Sequence, residues 1–130
     1  MEPNTIEIKR VIVRPAGQLN MDDTLNPAVA NEIVVEWEAG AIANANTELA
    51  INFQIVIWNH TDGVQAASIS KEPVFTDGQH QSAIYELIHR VGAASGVFAL
   101  DKMYETTTCL YRAPNIASFY RGLMFYVITP

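Results

Sequence analysis

The sequence predicts an all-β fold, an antiparallel β-sandwich of about seven strands. Three observations carry that prediction. Residues 47–58, "TELAINFQIVIW", place Leu49, Ile51, Phe53, Ile55 and Ile57 at every odd position, the period of a strand with one buried face. Extended runs rich in β-branched and aromatic residues recur along the chain. Turn dipeptides and prolines, among them Asp62-Gly63, Asp77-Gly78 and Pro73, punctuate them.

Taken in order, residues 5–14 alternate at Ile6 and Ile8, then at Val11 and Val13, with a change of parity at Lys9-Arg10. A β-bulge there keeps both apolar pairs on one face. Pro15 and Gly17 close the strand, and the polar stretch 16–31 reads as a long loop with one helical turn near Pro27. "NEIVVEWE" directs Ile33, Val35 and Trp37 one way and three glutamates the other, with Val34 as the exception.

After the long run through Trp58, Asp62-Gly63 turns the chain back into "VQAASIS", which Pro73 limits. "SAIYELIHRV" fits helix and strand spacing almost equally. Its strand neighbours decide for strand. The last third predicts two long strands, "GVFALDKMYETTTCLYR" with Phe98, Leu100 and Tyr104 on one face, and "SFYRGLMFYVI". In strand number and spacing the chain is similar to small immunoglobulin-like and fibronectin-like domains, without their Cys…Trp…Cys arrangement, since Cys109 has no mate.

Length and composition narrow the function. A chain of 130 residues predicts one domain spanning 1–130. A net charge of −6 argues against a nucleic-acid surface, which needs clustered Lys and Arg. No apolar run approaches a membrane span. The N-terminus "MEPNTIEIKR" lacks the basic and apolar regions of a leader, so the expectation is a cytoplasmic chain, or one exported by a leaderless route. On that reading the sequon Asn59-His60-Thr61 is accidental.

No nucleophile-elbow, dinucleotide-binding or phosphate-loop signature is present, and no zinc framework. The sequence therefore predicts a non-enzyme with no cofactor and no metal. Cys109, within a predicted strand, reads as a small hydrophobe.

Two surfaces stand out. In "SFYRGLMFYVI", strict alternation sends Phe119, Leu123, Phe125 and Val127 to one side and Tyr120, Met124, Tyr126 and Ile128 to the other. Both sides are apolar, so the second face needs cover. With Tyr111 at the same turn, the expected interface is Tyr111, Tyr120, Met124, Tyr126 and Ile128, taking a protein partner and self-associating as a homo-oligomer. The alternative is a small-ligand or carbohydrate site at Trp58, Asn59, His60 and Asp62, where an aromatic plane adjoins amide and carboxylate groups.

Overall fold

The computed structural model describes residues 6–17, 24–39, 51–74, 84–93, 95–112, 115–122 and 124–127. These form nine strands: β1 (Ile6–Pro15), β2 (Thr24–Leu25), β3 (Asn31–Ala39), β4 (Ile51–Asn59), β5 (Val64–Val74), β6 (Ile84–Val91), β7 (Lys102–Arg112), β8 (Asn115–Arg121) and β9 (Phe125–Val127). The fold is an antiparallel β-sandwich. One sheet has the order β1–β3–β6; the other runs β2–β9–β7–β4–β5, with β8 also paired to β7. The short β2–β9 pairing is parallel.

Two strands more than expected are found, for separate reasons. The polar stretch before β3 contributes the two-residue β2 against β9. Near Pro27 it makes a hydrogen-bonded turn, Val29 N–H to the Asn26 carbonyl, rather than a helical turn. The last predicted strand is broken at Gly122 into β8 and β9.

The bulge expected in β1 is present. Ile8 opposes Trp37 and Arg10 opposes Glu36, so Lys9 is the extra residue and Ile6, Ile8, Val11 and Val13 all reach the core. Trp37 links the layers: it is fully buried, stacks on Tyr85 of β6 at 4.5 Å, and meets Phe53 of the facing sheet at 5.6 Å. Truncating such a side chain to Ala typically costs about 3–5 kcal/mol.

The outer face of the three-stranded sheet is a ladder of charges. Arg10 donates twice to Glu36, at 2.6 and 2.9 Å, and Arg14 to Glu32 at 2.6 Å. Between these rungs lie Ile12 and Val34, paired in register and both buried. The long arginine stems give an apolar pair on an outer face some cover.

β6 is a strand, as its neighbours predicted, because it pairs residue for residue with β3. Leu87 and His89 face inward half-buried, while Glu86, Ile88 and Arg90 are exposed. β5 forms the edge of the larger sheet and continues through Pro73, which an edge strand tolerates. Its Lys71 pairs with Phe53 and so points between the sheets.

The predicted face Phe98–Leu100–Tyr104 does not form. β7 begins only at Lys102, after turns at 97–101 in which Asp101 adopts a φ of 61°; Phe98 packs on Tyr104, and Leu100 is exposed.

The break at Gly122 sets the direction of everything after it. From Thr107 to Tyr104 β7 advances three residues, whereas their partners Arg121 and Phe125 are four apart. The added residue inverts the alternation. Gly122 donates its N–H to the Thr106 carbonyl at 2.8 Å, and a Cβ at this position would lie 2.5 Å from Thr106 Oγ1. Gly122→Ala is expected to destabilise the protein by about 1–3 kcal/mol. Adding Thr106→Ala should recover part of that loss, so the two changes measured together by urea unfolding will be less than additive.

A second expectation concerns acid. Among the described residues His89 Nδ1 is buried without a hydrogen-bond partner, and Lys71 lies on the facing sheet. Desolvation first, and the Lys71 charge second, hold the His89 pKa below its ordinary value. The folded chain thus keeps His89 neutral where the unfolded chain is already protonated. Its contribution is complete above the ordinary histidine pKa of 6.5 and declines as pH falls toward the lowered folded value. Urea midpoints at about pH 7.5 and pH 5 should drop less for His89→Leu than for the native chain; equal drops would refute this.

Candidate functional site

The alternation of β4 and β7 places a continuous set of side chains on the outer face of the six-stranded sheet. The two strands pair without a shift from Asn52–Tyr111 to Asn59–Tyr104. Since Ile55, Ile57, Tyr104 and Leu110 enter the core, Trp58, Glu105, Cys109 and Tyr111 face outward. β8 continues that face with Phe119 opposite Cys109 and Arg121 opposite Thr107. β9 adds Tyr126, between the buried Phe125 and Val127, and Met124 just before it is exposed.

At one end the β4–β5 turn is tied down. Asn59 is only 6% exposed. It donates from Nδ2 to Asp62 Oδ2 at 3.0 Å and accepts the Asp62 N–H on Oδ1 at 3.0 Å. This is the self-contained turn chemistry that Asn and Asp favour. Lys102 Nζ donates to Asp62 Oδ1 at 2.9 Å, and that contact foremost holds the Asp62 carboxyl below the usual carboxylate range. The Met103 N–H donates to Thr61 Oγ1 at 2.9 Å, and the His60 N–H to the Met103 carbonyl at 2.8 Å. The sequon amide is therefore spent inside the turn.

Beside it lies a second network. Arg121 Nε donates to Glu105 Oε1 at 2.8 Å, and His60 Nε2 lies 3.5 Å from the same oxygen. The Glu105 side chain is 10% exposed, that of Arg121 66%. The carboxylate is thus largely withdrawn from water and balanced, while the guanidinium stands out from the sheet. Trp58, 37% exposed, is Glu105's register partner on β4.

The expected interface is brought together only in part. Met124 and Tyr126 are exposed as predicted, and Tyr111 lies half-buried on the same face. Tyr120 does not belong with them: it opposes Thr108 and packs against the core. Phe119 takes its place outside, 61% exposed. The extra residue near Gly122 is the physical reason, since strict alternation holds only within an unbroken ladder. Ile128 lies outside the described residues. Of the expected ligand platform, Trp58 and His60 remain accessible, whereas Asn59 and Asp62 bind one another. Glu105 and Arg121 were missed. A glycine inside an apolar strand run, "YRGLMF", was the available signal, since it marks bulges.

Among the described residues no group of three or more His, Cys, Asp and Glu side chains is placed to hold a metal. No helix among them is long and apolar enough to cross a membrane, which does not bear on strands.

No protein-family model matches this chain, and no curated protein matches its sequence. Solved structures do resemble its fold. The C-terminal domain of wzt is similar with a TM-score of 0.68 at 9% identity, covering 98% of this chain and 75% of that one. A glycosyl hydrolase family 2 member from Bacteroides cellulosilyticus is similar with a TM-score of 0.53 at 12% identity over 90% of this chain, which spans only 15% of that enzyme. The sporulation control protein Spo0M of Bacillus subtilis gives 0.50 at 8% identity, with 98% and 51% of the two chains covered. At such identities the likeness establishes a β-sandwich and nothing of its chemistry.

Asn59→Ala removes both bonds that close the turn in a buried position. It should lower stability by about 1–3 kcal/mol in chemical unfolding. Asp62→Ser, which leaves Asn59 buried without its carboxylate, should act in the same direction.

Proposed function

We propose that this chain is a non-enzymatic recognition module that docks a protein partner on the outer face of β7, β8 and β9, and that a second copy of the chain is such a partner. The observation that carries this reading is the exposure of Phe119, Met124 and Tyr126 along one outer face, on a sheet whose other face is already filled by the core. Interface centres are enriched in Phe, Tyr and Met. The strand order β1–β3–β6 against β9–β7–β4–β5 also supports an immunoglobulin-like or fibronectin-like assignment, an architecture that often presents such faces.

The non-enzymatic part rests on how the polar groups are occupied. His60 adjoins Glu105, Glu105 accepts from Arg121, and the Thr61 hydroxyl accepts a backbone N–H. This resembles a structural network rather than a base poised beside a nucleophile.

Light scattering across a concentration series tests the self-association. The native chain should form a defined oligomer, and Phe119→Ser or Met124→Ser should weaken it at least tenfold without lowering the melting temperature. A native chain that stays monomeric at about millimolar concentration would overturn it.

A second reading, a carbohydrate site, is favoured by the exposed Trp58 indole, whose neighbours are Glu105 and, across β5, Gln65. Aromatic planes beside planar polar groups suit sugar rings. On this reading the platform lies on the sheet, not in the turn.

A further inference from the structure

Arg121 is fixed in an unusual way. Only its Nε is engaged, by a carboxylate that is itself nine-tenths withdrawn from solvent, while the side chain as a whole is 66% exposed. Among the described residues no partner is found for its two Nη groups. Glu105 therefore acts as a clamp on Nε and leaves the rest of an exposed guanidinium, the fork that matches a carboxylate, free of partners among the described residues.

This fork lies between two exposed aromatic rings. Trp58 opposes Glu105 directly, and Phe119 is two residues before Arg121 on the same strand and the same face. Trp58 and Phe119 are separated by two strand spacings and four residues along β7, a straight-line distance of about 16 Å. A short oligosaccharide covers that span. The Glu105–Arg121 and Asp62–Lys102 pairs are each neutral overall, so neither carboxylate stands uncompensated against an anion, and the exposed Nη edge supplies donors between the rings.

We infer that this row, Trp58–Arg121–Phe119, is a binding site for an acidic oligosaccharide, with sugar rings stacked on the two aromatic side chains and a hexuronate carboxylate received by the Arg121 fork. The inference rests on the carbohydrate reading given above and adds the charge of the ligand. His60 and Glu105 serve as positioning residues, holding Arg121 rather than touching the sugar.

The test compares sugars that differ only in charge. Trimers of galacturonate, glucuronate and mannuronate, and their methyl esters, are titrated against the full chain while Trp58 and Arg121 Nε–H resonances are followed by NMR. At least one acid trimer should bind and shift both signals, at least tenfold more tightly than its ester. Arg121→Gln should reduce acid binding to the level of the ester, and Arg121→Lys should recover little, since an ammonium lacks the fork. Trp58→Ala should weaken acid and ester alike.

Each outcome has a reading. If acid and ester bind equally and Arg121→Gln changes nothing, the acidic preference is wrong and the carbohydrate site stands. If no trimer perturbs Trp58 at about 10 mM, both fall. The comparison of acid with ester uses the native chain, so it decides even if Arg121→Gln fails to fold.

Discussion

A single added residue between Arg121 and Phe125 governs the surface chemistry of this protein. Strand side chains alternate between faces, so one insertion exchanges inside for outside along all that follows. Phe125 and Val127 reach the core of the larger sheet only because the ladder with β7 slips there. The same slip lets Phe119 and Arg121 share an outer face with Tyr126. Gly122 makes it feasible, since a Cβ there would press on Thr106 Oγ1 at 2.5 Å. Core and candidate surface are thus two results of one irregularity.

The rest of the architecture keeps that face in place. β7 is paired on both sides, by β4 along its length and by β8 and β9 in succession. Tyr104, Phe98 and Phe125 form an aromatic cluster beneath it, with centroids 5.3 to 5.8 Å apart. Above it, the β4–β5 turn is fastened to β7 through Lys102, Met103 and Glu105. The exposed groups therefore stand on the most constrained part of the sheet. Recognition sites on rigid elements lose less entropy when they bind.

Most of the fold was legible because burial on one face leaves a strong period-two signal. The buried run Phe53, Ile55, Ile57 and the Lys9 bulge were both read from alternation alone. Irregular points were less accessible. The start of β7 was placed too early because Phe98 and Leu100 extend its apolar pattern, although the chain there is turning with Asp101 at positive φ. Tyr120 and Phe119 were exchanged because nothing in an apolar run states where a ladder slips. At the ligand platform, Trp58 and His60 were visible as residue types. That Asn59 and Asp62 would bind each other is a local contact three residues long, whereas Glu105 and Arg121 reach Trp58 only through the β4–β7 and β7–β8 pairings, which the sequence does not spell out.

β5 deserves to be considered as a border. It ends the larger described sheet, contains a proline without a donor, carries an extra residue at two points in its ladder with β4, and turns Lys71 inward toward His89. Each of these is a device that keeps a free strand from recruiting another. Growth of the sheet from molecule to molecule, the route to fibrils, is disfavoured along this rim.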